Sequence, residues 1–166
     1  MDNSYNDNKK IDTYNYLMEL YIDTIHKLID NSYSMGILPF KIVIGMGMIK
    51  KQISENRFET LQNGIDYLLH NKDTILNFDL TKLDELDEDS DDNMSIKSCV
   101  SKFNNNDNKN NMSKSNIGSP DEMLNLIIEI KNNTKKLSYE DIIIIKKYFE
   151  LLIMILEKIQ NIFIYK

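Results

Sequence analysis

The chain contains no alanine and no tryptophan, one arginine (Arg57), one cysteine (Cys99) and two prolines among its 166 residues. Each scarcity narrows the field. A single cysteine excludes an intrachain disulfide. The opening Met1-Asp2-Asn3-Ser4-Tyr5-Asn6-Asp7 also lacks the apolar core of a secretion signal. Together these set the expectation of an intracellular, cytoplasmic location. One arginine in a chain of net charge −6 argues against nucleic acid as a partner, because phosphate-backbone affinity comes from clustered Lys and Arg. The missing alanines accompany abundant Ile, Asn, Lys and Tyr, whose codons are rich in A and T. Isoleucine is therefore the default apolar residue. Runs such as Ile142–Ile145 weigh little as strand signals, and periodicity outranks propensity.

What is present is helical periodicity. At the C-terminal end Ile142, Ile145, Phe149, Leu152, Leu156, Ile159 and Phe163 recur at alternating spacings of three and four, the seam of a heptad helix. Ile144, Tyr148, Leu151 and Ile155 widen the apolar arc beyond that seam and form the expected interaction face. Near the N-terminus Ile11, Tyr14, Met18, Tyr21, Ile25 and Leu28 repeat the same spacing, predicting a helix from about Asp12, its cap, to Tyr33. Gly36 and Pro39 then break the chain. Residues 40–53 fit either a helix, with Ile42, Met46, Ile49 and Ile53 on one face, or a short strand around Ile42-Val43-Ile44; helix is preferred. Gly45 and Gly47 would each weaken that helix by roughly 1 kcal/mol relative to alanine, which suggests a close approach to its backbone. Phe58, Leu61, Ile65 and Leu68 predict a third helix from Arg57 to His70, continuing or restarting at Asp73.

Residues 1–10 read as a disordered tail, 11–83 as an N-terminal helical unit and 119–166 as a C-terminal helical hairpin packing on that unit. Ser119-Pro120-Asp121-Glu122 is a helix start, combining a cap, a first-turn proline and a capping-box Glu. The short connection near Leu137-Ser138 implies antiparallel helices. Between the units, residues 84–118 hold a dense acidic cluster and the run Asn104-Asn105-Asn106-Asp107-Asn108-Lys109-Asn110-Asn111. Apolar residues are too sparse there to offset the entropy of ordering, so the segment is expected to be a disordered insert. The expected fold is all-α, a bundle of about five helices interrupted by this insert.

The search for chemistry returns little. Gly45-Met46-Gly47 lacks the third glycine of a dinucleotide turn, and Lys50-Lys51 is not in the register of a phosphate loop. His26 lies between Asp23 and Asp30, and His70 between Asp66 and Asp73, at spacings that share one helical face. Each is a conceivable metal face, but solvated outer faces are the simpler reading, and the Glu-x-x-His pattern of di-metal bundles is absent. An EF-hand read from Asp87 fails, with Asp92 in place of the turn glycine and Ser98 in place of the final Glu. Ser90 lies among acids as a candidate kinase target. Cys99 has no assignable base. Residues 142–164 match a membrane span in length but contain Lys146, Lys147, Glu150, Glu157 and Lys158, so spanning is not expected; lying in the membrane interface is left as an alternative, although the polar stripe carries both signs rather than a basic excess.

The resulting expectation is a non-enzymatic helical interaction or assembly protein, binding a protein partner or a second copy of itself, with no cofactor. The alternatives are a peripheral membrane protein and, behind it, a small metal-binding protein using His26 and His70.

Overall fold

A computed structural model describes residues 3–77 and 120–164. The fold is all-α, and the described residues contain no strand. The helices are α1 (Asn3–Ser34), α2 (Phe40–Glu55), α3 (Arg57–Gly64), α4 (Lys72–Leu76), α5 (Pro120–Thr134) and α6 (Tyr139–Ile164), with a π-helical turn at Ile65–Leu69 between α3 and α4. The expected insert at 84–118, with Ser90 and Cys99, lies outside the described residues, as does the cap Ser119.

The two heptad seams find each other. Leu17, Met18, Tyr21 and Ile22 of α1 close on Leu152, Ile155, Leu156 and Ile159 of α6, with Leu61 of α3 completing the core. The helices run antiparallel: Ile159 lies near Tyr14 at one end, and Tyr148 meets Asn31 at the other. An apolar seam as long as that of α6 is not stable in water, and α1 supplies the matching surface inside the same chain. Ion pairs fasten the periphery, from Arg57 to Glu19 and from Lys72 to Glu157.

Helix ends follow local chemistry. α1 stops at Gly36, whose φ of +73° is the left-handed conformation glycine tolerates. Ile37 N donates to Ser32 O and Gly36 N to Tyr33 O, both at 2.9 Å, which is a Schellman closure with Ile37 buried beneath it. α6 starts at a reciprocal cap. Asp141 N donates to Ser138 Oγ at 3.1 Å, and that hydroxyl donates to Asp141 Oδ2 at 2.7 Å.

One boundary differs from the sequence expectation. α1 begins at Asn3 rather than near Asp12, so most of the expected 1–10 tail is helical, an extension whose residues 7–10 are all exposed. Residues 40–55 are helical throughout, which resolves the strand alternative. The expected third helix carries the π turn and the chain restarts at Lys72, close to the expected Asp73, so the described residues form six α-helices, in keeping with the expected bundle of about five. Gly64, the residue before that turn, is pressed against the core. A β-carbon there would lie 2.9 Å from Tyr21 Cζ, 3.3 Å from Leu156 Cδ1, and closer still to the Tyr21 hydroxyl. The close backbone approach anticipated at Gly45 and Gly47 occurs at Gly64 instead.

Candidate interaction surface

α2 begins directly after Pro39, whose φ of −55° leads into the first turn. Its sequence is apolar on two sides. Ile42, Met46, Ile49 and Ile53 turn inward and are half-buried; Ile53 reaches the core cluster. Phe40, Ile44 and Met48 fall at i, i+4 and i+8 on the opposite side and are 75%, 72% and 70% exposed. Gly47 lies within this outer stripe, and nothing stands within 4 Å of where its β-carbon would be. No residue of α2 is fully buried. A 16-residue helix with apolar side chains on both faces therefore rests on the surface by one face and leaves the other open to water.

Polar contacts hold it there. His26 Nε2 donates to Lys50 O at 3.1 Å; a carbonyl can only accept, so this nitrogen carries the proton. Ser54 Oγ lies 3.3 Å from the same nitrogen and donates to Lys50 O at 3.1 Å. Lys50 Nζ grips both carboxylate oxygens of Asp30, at 2.7 and 2.8 Å. These ties fix α2 against α1 without covering its outer stripe. In the core behind it, burial pushes the Tyr21 phenol up to about 12.

The expected metal faces take different shapes. His26 points at the α2 backbone rather than into solvent. Asp23 pairs with Lys27 at 2.7 Å, which raises the lysine's pKa through the hydrogen bond and the charge, and Asp30 is held by Lys50. His70 is exposed in the turn after the π segment. That segment breaks the helical register that would have aligned Asp66, His70 and Asp73, and Asp66 accepts from Gln62 at 3.0 Å. Among the described residues no group of three or more His, Cys, Asp or Glu side chains is placed to hold a metal ion.

The expected face on α6 runs from surface to interior. Ile144 is 39% exposed, Tyr148 is half-buried, Leu151 packs at the edge of the core, and Ile155 is 1% exposed inside it. The Tyr148 hydroxyl accepts from Asn31 Nδ2 at 2.9 Å. α1 covers the lower part of this stripe, so it does not form a continuous open face. The open apolar stripe is on α2. Its signal in the sequence is the set Phe40, Ile44 and Met48 facing away from Ile42, Met46, Ile49 and Ile53, a helix too apolar on both sides for one contact to satisfy.

Among the described residues no helix is long and apolar enough to cross a membrane. No family model, curated protein or solved structure matches the chain.

Proposed function

We propose that this chain is a non-enzymatic helical protein–protein interaction or assembly protein that docks through the outer face of α2, in the simplest case onto a second copy of itself. The observation behind this reading is the row Phe40, Ile44 and Met48, each at least 70% exposed on one helical face. Covering one large apolar side chain is worth about 1.5–3 kcal/mol. In a two-fold pair the same face meets itself, so each residue counts twice. Gly47 adds a second reason. It costs the helix roughly 1 kcal/mol relative to alanine, yet nothing in the described residues uses the space it leaves. A neighbouring backbone approaching from outside would use it.

Sedimentation velocity of the full chain over a concentration series tests the reading. A reversible shift to a dimer or larger species at micromolar concentrations is expected. A monomer throughout, with no binding of a hydrophobic dye, contradicts it. One observation favours the second reading, peripheral membrane contact: the exposed Lys41 and Lys51 flank the apolar stripe on the same outward side. Both are engaged with Glu122 and Glu55 in surface ion pairs, which hold weakly in water. Flotation with anionic vesicles separates the two readings, since only the second predicts that protein rises with the lipid.

A further inference from the structure

The α5–α6 hairpin does not zip shut along its length. Between it, the C-terminal end of α1 and α4 lies a cavity of about 450 Å³. Its walls are apolar, built by Leu28, Ile37, Ile75, Ile130, Ile145 and Phe149. Ile145 and Phe149 belong to the same seam that packs into the core further along α6, so the cavity lies on the unfilled end of that seam. The volume falls within the range of sites for small organic ligands. It is about three times that of a dry apolar cavity able to hold benzene, which leaves room for an alkyl chain on the order of a dozen carbons.

The polar groups at this cavity define the other end of the ligand. Among the described residues Lys146 is the one charged residue lining it, and no acid lines it. The lysines from Lys27 to Lys72 pair with carboxylates, and Lys131, Lys136, Lys147 and Lys158, which like Lys146 have no ion pair among the described residues, do not line the cavity. Lys146 is half-buried and has no ion pair or hydrogen bond among the described residues. Ser32 also lines the cavity, and its hydroxyl has no partner among the described residues although the residue is buried. An unpaired ammonium and a spare hydroxyl at the wall of an apolar chamber match one anionic head on a long apolar body. A half-buried ammonium gains most from a partner that brings its own negative charge.

From this geometry we infer that the cavity binds a long-chain monocarboxylate, its alkyl chain between α1, α4, α5 and α6 and its carboxylate on Lys146, with Ser32 as a further donor. This site is separate from the outer face of α2, and the two stand or fall independently.

The test uses the full chain and a fluorescent polyene fatty acid as the probe, displaced in parallel by laurate and by dodecanol, with native mass spectrometry for stoichiometry. Saturable binding of one probe per chain is expected. Lys146→Met should weaken laurate about tenfold, the equivalent of one charge-assisted hydrogen bond, and leave dodecanol unchanged. Ile145→Trp, which fills the chamber, should abolish both while the melting temperature holds or rises. Ile44→Asp should alter neither. Non-saturable uptake, equal loss of laurate and dodecanol in Lys146→Met, or no loss of laurate would each overturn the assignment. One probe per two chains would overturn it in favour of a cavity covered by a second copy.

Discussion

α6 and α2 are both strongly apolar helices, and the fold treats them in opposite ways. α6 threads the core, with Leu156 fully enclosed and Ile155 and Ile159 beside it. α2 has no fully buried residue and is held by His26, Ser54 and the Lys50–Asp30 pair. Apolar content alone therefore does not say where a helix ends up. What decides is whether the chain provides a surface of matching period. α1 provides one for α6, and for the outer face of α2 the described residues provide none. An apolar surface satisfied internally contributes to stability, whereas one left in water favours association.

This contrast can be broken most forcefully at Leu156. Leu156→Ala should cost about 3–4 kcal/mol in urea unfolding, because the site is enclosed on all sides and collapses poorly. A loss below 1 kcal/mol would mean that α6 is not the core element. The glycines sharpen the comparison. Gly64→Ala should destabilise by about 2 kcal/mol, since its new methyl group meets Tyr21 and Leu156. Gly47→Ala, on a helix face with nothing near, should stabilise by up to about 1 kcal/mol. Opposite signs are the expected result, read from denaturant midpoints; equal signs would mean that the two glycines occupy similar surroundings.

The core side of the comparison also has a pH signature. The Tyr21 phenol titrates near 10 when unfolded and at about 12 when folded, because burial disfavours the phenolate. Between those values the native state keeps a proton that the unfolded state has lost. The stability this proton contributes is complete below pH 10 and is lost as pH rises towards about 12, a loss of roughly 2 kcal/mol. Comparing unfolding midpoints of the wild type and Tyr21→Phe across that window isolates the effect from other titrating groups. Parallel curves would place Tyr21 in water.

Much of this was legible in the residues. The three-and-four spacing located Met18, Tyr21, Leu152, Leu156 and Ile159 correctly in the buried seam, because a heptad repeat marks one face whatever its partner. The Gly36 and Pro39 break and the Ser138 start were legible as local chemistry. Other features were not. The polar stretch Asn3–Lys10 has no apolar period, so nothing marked it as helical. The π turn at Ile65–Leu69 adds no distinctive residue. The role of Gly64 depends on Tyr21, 43 positions away in the chain. The candidate surface was hidden for a related reason. When a helix is apolar on both sides, its period shows two faces and cannot say which one the rest of the chain will cover. The seam on Ile42, Met46, Ile49 and Ile53 was read, and the row Phe40, Ile44 and Met48 behind it was not.

The smallest expected effect on stability carries the largest expected effect on assembly. Ile44 is exposed, so Ile44→Asp should change unfolding stability by no more than about 0.5 kcal/mol. In a two-fold pair it would bring two carboxylates into the contact. Sedimentation equilibrium of the wild type and Ile44→Asp, with melting curves recorded on the same samples, is the most direct test of the account. It predicts a self-associating wild type and a monomeric variant with the same melting temperature. A monomeric wild type, or a variant that associates as strongly as the wild type, would contradict it.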